Sequence, residues 1–312
     1  MANDPMATTI QSEVSEGSLN STQLDQYRER GYVVLTGALD GTTLARLRKV
    51  TDEIVQSAHG VSKHTDTLDL ESTHTPERPR VRRIKRPHVA HPFYDQLARD
   101  PRITEAIVPL IGPDIRMRPA GKINMKAGGY GSPVEWHQDW AFYPHTNQDV
   151  LAVGILLDDM DANNGPIMFI PGSHKGPIYD HHSDGAFCGA IDVSASKLDV
   201  SQAVEVHATA GSLTIHHARL VHGSALNRSN RSRRILLYEF AAADAWPLAG
   251  VEPMRDIEEF NGRIVCGEPT LQPRMEDVPV RMPLPIAKHQ GSIYENQRSL
   301  STRYFEEFRT PN

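Results

Sequence analysis

Cysteine is almost missing: Cys188 and Cys266 are the two in 312 residues, which excludes a disulfide framework and a cysteine-rich zinc module. Long apolar runs are missing as well, and no stretch approaches the roughly 18 residues of a membrane span. The opening MANDPMATTIQSEVSEG lacks the basic flank and apolar run of a secretory signal. These absences predict a soluble cytoplasmic protein with no membrane partner. Positive charge is in deficit, with 33 Lys and Arg against 39 Asp and Glu, so no overall basic field exists to grip a nucleic acid. What is present is a 39% hydrophobic fraction, enough for a sizeable core, which excludes disorder along the whole chain. Histidine, at 15 residues, is abundant, and it points to metal or proton chemistry only where the spacing suits.

Residues 1–20 are polar without periodicity and read as a tail; 21–312 read as one domain. Within it, 21–114 is mainly helical support. Helices are predicted from Thr22 to Gly31, from a cap at Asp40 to Gly60, and from Asp100-Pro101 to Gly112. Tyr32 to Leu35 reads as one strand, and Val61 to His91, with three prolines, as an extended polar excursion. From Ile115 to 240 the period changes to short strands: Ile115–Arg118, Ile123–Met125, Val150–Leu157, Ile167–Ile170, Val204–His207, Ser212–His216 and Arg234–Phe240. That pattern predicts a mainly β sandwich or barrel with flanking helices. Residues 241–312 read as an irregular, proline-punctuated extension, and this tail and loop 179–203 are the expected lids.

The sharpest local feature is Glu135-Trp136-His137-Gln138-Asp139-Trp140, after a glycine-rich turn. On a strand, His137 and Asp139 at i and i+2 face the same way, so an imidazole and a carboxylate can converge on one cation. An exposed strand with two polar residues would look the same. His222, in Leu-Val-His-Gly-Ser, lies 83 residues beyond Asp139, far enough for several strands to intervene. Two histidines and a carboxylate leave three open positions on an octahedral metal, as oxygen-activating non-haem Fe(II) requires. Arg233 follows eleven residues after His222 and shares a strand face with Ile235 and Leu237. A guanidinium carried inward there has a ligand carboxylate as its natural partner.

These pieces, in order, resemble the phytanoyl-CoA dioxygenase family of Fe(II) and 2-oxoglutarate-dependent oxygenases. The resemblance spans roughly residues 22 to 240 and includes Gly-Tyr-Val-Val-Leu, His137-Gln138-Asp139, the run from Asn163 to Lys175, Gly211-Ser212, His222-Gly223-Ser224 and Arg233. It implies a double-stranded β-helix, a cupin-like jelly roll, with iron held by His137, Asp139 and His222. It further implies that Arg233, helped by Ser224, holds the distal carboxylate of 2-oxoglutarate. Lys122 and Asn124 fall where the family lines the cosubstrate pocket, and Arg83 where relatives place a basic residue reaching it. Ile155 stands where relatives commonly carry a tryptophan.

The implied reaction uses 2-oxoglutarate and O2 as cosubstrates, hydroxylates an unactivated C–H bond of a small organic molecule, and releases succinate and CO2. Desaturation, halogenation and a non-catalytic metal-binding role are the alternatives within the fold. Halogenation usually goes with loss of the carboxylate ligand, and Asp139 is present. A hydrolytic zinc enzyme would leave Arg233 and Ser224 unexplained. The basic stretch Pro76 to His91 reads either as a solvated face or as a rim that attracts an anionic substrate. His174 reads as a turn brace, His181 and His182 as a solvated loop, and Trp140 as a better pocket candidate than Trp136.

Overall fold

The computed structural model describes residues 18–129, 131–249, 256–286 and 293–306, so most of the expected N-terminal tail lies outside the described residues. Asn20 and Gln23 form a reciprocal capping box that starts the helix Ser21–Arg30. Gly31 ends it at φ 82°, a conformation that suits glycine, and a Cβ there would lie 2.5 Å from His174 Nδ1. The strand Tyr32–Leu35 follows at once. Asp40 caps the helix Gly41–Gln56, which stops at Ser57 rather than at the expected Gly60. Asp100 caps Pro101–Ile111, whose Ile103 and Ile107 are fully buried, each worth about 1.5–3 kcal/mol of transfer free energy.

These helices back a large antiparallel sheet. Its strand order is Tyr32–Leu35, Leu213–His217, Val150–Leu156, Arg233–Ala242, Lys122–Lys126, Val81–Lys85 and Leu68–Leu70, with Ile115–Met117 and Ile264–Cys266 joined at the far end of the long strand. A second sheet runs Val204–Glu205, Ile167–Phe169, His222–Ser224 and Val134–His137. The two sheets make the jelly roll, and the helices cover one face of the larger.

The excursion expected over 61–91 instead adds two strands to the sheet. Its apolar alternation is masked because Arg82 is itself buried, ion-paired with Glu295 and lying over the Tyr294 ring. Lys85 pairs with Asp69 at 3.1 Å. Arg82 and Lys85 therefore serve the sheet and are not a free rim. Pro92–Ala98 is a helix that the sequence reading omitted.

Both expected lids are fixed to the small sheet. Within loop 179–203, Ile191 N–H donates to the Trp136 carbonyl at 2.8 Å, and the backbone N–H of Gln138 donates to His181 Nε2 at 2.9 Å. His181 is accordingly buried, not solvated. In the C-terminal extension, the Glu135 carboxylate accepts the backbone N–H of Tyr304, and Phe305 packs on Trp136 with ring centroids 5.4 Å apart. No helix among the described residues is long and apolar enough to cross a membrane.

Burial pushes His145, His181 and His217 each down to about 3. The folded chain keeps them neutral below pH 6.5, where the unfolded chain takes up a proton on each. Their contribution to stability is complete above pH 6.5 and is lost as pH falls towards 3. Each is expected to lose about 2 kcal/mol by pH 5. The denaturant midpoint should therefore drop steeply between pH 6.5 and 5, and a flat midpoint there would show that these imidazoles reach water in the native state.

Candidate metal centre and its cavity

The sheets enclose a cavity of about 280 Å³. One wall is the long strand Arg233–Ala242, from which residues 233, 235, 237 and 239 face inward. Lys122 and Asn124 join this wall by pairing with Leu237 and Ile235. Gly154 lets the neighbouring strands close here, since a Cβ would meet Thr214 Oγ1 at 2.5 Å and Ile235 Cδ1 at 2.6 Å. Ile155 points the other way, into the core under the helices, so the wall expected of it is formed instead by Ala152 and Ile235.

The opposite wall carries a set of side chains able to hold a metal ion. His137 ends the strand Val134–His137, and Asp139 opens a 3-10 turn. The two converge because the chain turns between them, not through strand alternation as the sequence suggested. His222 pairs with His137 across the sheet, with ring centroids 4.0 Å apart. One ligand atom from each of His137, Asp139 and His222 lies within 4.8 Å of the others, and all three residues are buried.

The tautomers are fixed locally. His137 Nδ1–H donates to the Glu135 carbonyl at 2.8 Å and His222 Nδ1–H to the Leu220 carbonyl at 2.9 Å. Each Nε2 lone pair is left for a metal. Burial pushes His137 down to about 4 and His222 well below its ordinary value, so both are neutral, as a ligand must be. Burial alone would raise Asp139, but the His216 imidazole beside it and the Lys122 ammonium oppose this and hold the carboxyl below the usual range.

Alternation along Leu213–His217 turns one of His216 and His217 inward, and in the structure it is His216. It lines the cavity with Nε2 3.6 Å from Asp139 Oδ2, its ring is 4.6 Å from His222, and neither buried nitrogen has a hydrogen-bond partner. Its place on the inward face of Leu213–His217 was readable from alternation, but the neighbouring His217 made the choice of face ambiguous. His217 stacks instead on His174, which braces its turn against the Arg28 carbonyl at 3.1 Å.

One end of the cavity is built around Arg233. The guanidinium is buried, burial pushes it down to about 10, and its Nε and Nη2 donate to the Gly165 carbonyl. Among the described residues no carboxylate ion-pairs with it. Ser224, Asn124 and Arg83 line the same cavity, with Arg83 3.8 Å from Asp69. Lys126, which the sequence reading missed, is fully buried beside Arg233 and donates to the Ser224 carbonyl at 3.1 Å. The Tyr294 hydroxyl is buried there without a partner. The planar fork of Arg233 is complementary to a carboxylate.

Lys122 stands apart from that group. It pairs with Leu237, four residues and about 13 Å along the strand from Arg233, and it contacts Glu239 at 2.9 Å. Lys122 thus lines the same cavity as Arg233, as the resemblance implies, but at its Glu239 end. Arg118 also pairs with Glu239, and Phe142 and Tyr143 line this end. Trp140 does not face the cavity, and its indole N–H donates to the Pro279 carbonyl at 2.9 Å.

Comparison with known proteins agrees with this chemistry. The family profile described as phytanoyl-CoA dioxygenase matches residues 27–235. A protein of Stutzerimonas stutzeri named probable alpha-ketoglutarate-dependent hypophosphite dioxygenase is 37% identical over 287 residues, covering 91% of this chain and 99% of that one. The peroxisomal phytanoyl-CoA dioxygenase of Bos taurus is 24% identical over 80% of this chain and 83% of its own length. Among solved structures, EctD from S. alaskensis with bound Fe has the same fold, at TM-score 0.63 and 22% identity, over 87% of this chain and 92% of that one.

Anaerobically purified protein is expected to bind about one Fe(II) per chain. The triple alanine variant of His137, Asp139 and His222 should lose it, and unchanged stoichiometry and affinity would put the metal elsewhere. His216→Phe keeps the ring packing but removes the neighbour of Asp139, and it should weaken Fe(II) binding by about ten-fold or more. His216→Gln should recover part of the loss, and equal affinity in all three proteins would leave His216 a packing residue.

Proposed function

The chain belongs to the phytanoyl-CoA dioxygenase family, and on that premise we propose how its residues carry the family's reaction. It is an Fe(II)- and 2-oxoglutarate-dependent dioxygenase, with O2 as the second cosubstrate. His137, Asp139 and His222 hold the iron. Arg233 binds the distal carboxylate of 2-oxoglutarate in a bidentate pair, with Ser224, Asn124, Lys126 and Arg83 around it. The observation that carries the reading is one cavity holding both a buried His-Asp-His set and, at one end, a buried guanidinium without a carboxylate.

Bound iron supplies the activation of O2, coupled to decarboxylation of 2-oxoglutarate to succinate and CO2 and to oxidation of the substrate. The protein's part is placement. The neutral histidines present lone pairs without losing protons, and Asp139 supplies the one negative ligand. The apolar side chains of Val134, Ile167, Ile235 and Leu237 keep water from the space between them.

The substrate is a small anion. The cavity, at about 280 Å³, lies at the lower end of ligand pockets, which suits a small group beside the cosubstrate. The Stutzerimonas relative is named for hypophosphite, a compact oxoanion whose reactive bond is P–H. Oxidation of a P–H bond is therefore the preferred reaction, and hydroxylation of a C–H bond in a comparably small anion is the nearest variant.

Arg233→Lys keeps the charge but loses the planar fork that matches a carboxylate. The affinity for 2-oxoglutarate, followed by succinate formation, should fall about ten-fold or more, equivalent to about 1.4 kcal/mol. Iron binding should persist. An unchanged apparent affinity would show that Arg233 is not the anchor.

A further inference from the structure

We propose that Tyr294, in the C-terminal segment 293–299, is a cosubstrate-binding residue: its hydroxyl donates to the distal carboxylate of 2-oxoglutarate beside Arg233, and so helps select a 2-oxo acid that carries a second carboxylate. This rests on the oxygenase reading above and extends the cosubstrate site to a residue outside the stretch 27–235 that the family profile covers.

The placement comes from two sheets that grip one short segment. On the large sheet, Arg82 lies over the Tyr294 ring at 4.8 Å from its centroid and ion-pairs with the next residue, Glu295. On the small sheet, the buried Gln297 accepts the backbone N–H of Glu135 on Oε1 at 3.1 Å, and its Nε2 donates to the Pro133 carbonyl at 3.0 Å. The segment thus bridges the edge of one sheet and the strand that ends at His137, and Ile293, Tyr294 and Asn296 line the cavity between them. Strand register puts this bridge at the Arg233 end. Arg83 pairs with Asn124, so Arg82 lies one residue nearer Lys126, and Lys126 pairs with Arg233.

Hydrogen bonding gives the placement its meaning. Tyr294 is 3% exposed, and its hydroxyl has no hydrogen-bond partner among the described residues. Two buried acceptors at the same end, Asn124 Oδ1 and Glu71 Oε1, are themselves without partners, so the hydroxyl is spent on neither. A buried hydroxyl of this kind calls for an acceptor that the fold does not supply. Burial pushes the phenol up to about 12, with Arg233 and Arg82 opposing the shift, so it remains a donor at neutral pH. The phenol and the Arg233 guanidinium act on each other through their fields, as neighbours across one end of the cavity do.

The neighbouring donors decide which acceptor fits. Arg233 gives hydrogens from Nε and Nη2 to the Gly165 carbonyl and keeps the rest of its donors for a ligand. A guanidinium edge and a phenol hydroxyl both donate, so the group between them must accept from both sides and bring negative charge to the cation. A carboxylate does this, with about four lone-pair sites on its two oxygens. A methyl group in its place would leave the Tyr294 hydroxyl and the guanidinium edge unpaired out of water. The 2-oxo acid end is common to every 2-oxo acid, so discrimination among them falls to the groups around the distal end, where Tyr294 stands.

The test is calorimetry on the anaerobic protein loaded with Fe(II), with 2-oxoglutarate and 2-oxopentanoate as probes. The second keeps the 2-oxo acid end and the chain length but carries a methyl group in place of the distal carboxylate. In Tyr294→Phe, which keeps the ring under Arg82, 2-oxoglutarate affinity should fall about ten-fold or more, and 2-oxopentanoate affinity should not fall. The preference for the dicarboxylate shrinks by that factor, which simple packing damage would not produce. Unchanged 2-oxoglutarate affinity, or an equal loss for both acids, would overturn the proposal. Hydrogen exchange on the unmodified protein supplies a measurement that needs no variant: saturating 2-oxoglutarate should slow backbone exchange over 293–299 more than saturating 2-oxopentanoate does, and equal protection overturns the proposal. An Fe(II) protein that binds neither acid overturns the oxygenase reading as well, whereas 2-oxoglutarate binding that ignores the Tyr294 hydroxyl overturns this proposal alone.

Discussion

Neutral imidazoles oriented by their own backbone are the constraint on which the centre depends. His137 and His222 each donate Nδ1–H to the carbonyl two residues earlier, and so do His145 and His181. The contact is therefore a general way for this chain to bury a histidine, and what differs is the surroundings of Nε2. In His181 that atom accepts the Gln138 backbone N–H. In His137 and His222 it faces the other ligand side chains. Position in the jelly roll, rather than the local hydrogen bond, separates a histidine that braces a loop from one whose Nε2 is left able to take a metal ion.

Gln138, between His137 and Asp139, carries the support behind them. Its side-chain NH2 donates to the Pro177 and Arg219 carbonyls and its Oε1 accepts from Tyr179 N–H. These bonds tie the metal strand to the loop after residue 177 and to the chain leading into His222. Glu135 does the same on the far side through Tyr304 and Phe305. Burial pushes Glu135 up, while the backbone N–H groups of Tyr304 and Phe305 oppose that shift. The segments expected as lids thus also act as braces, and Ile293, Tyr294 and Asn296 of the second line the cavity. Their irregular sequence reflects the side-chain hydrogen bonds they make, which carry no periodicity.

That distinction explains how much could be read in advance. The capped helices and the strand runs were legible because capping residues and apolar periodicity act locally, as Asn20, Asp40 and Asp100 show. The His-Asp-His set and Arg233 were legible through spacing and family resemblance. The strands Leu68–Leu70 and Val81–Lys85 were not, because buried arginine and aspartate there are neutralised by partners distant in sequence, such as Glu295 for Arg82. Lys126 and His216 were hidden for a similar reason. Whether an alternating strand turns a residue inward is decided by the register of its neighbours, and for His216 the adjacent His217 could have taken its place.

One strand then organises the chemistry of the whole cavity. Arg233–Ala242 begins with a guanidinium left without a carboxylate and carries inward-facing Glu239 near its other end. Between them Ile235 and Leu237 face the cavity, so the two charged ends are separated by apolar surface. The fork of Arg233 matches a carboxylate, whereas Glu239 is already engaged by Lys122 and Arg118. The alternation of a single β-strand thereby sets Arg233 and Glu239 about 20 Å of backbone apart at 3.3 Å per residue. The buried His137, Asp139 and His222 lie across the same cavity from this strand, on the opposite sheet and the turn that follows it.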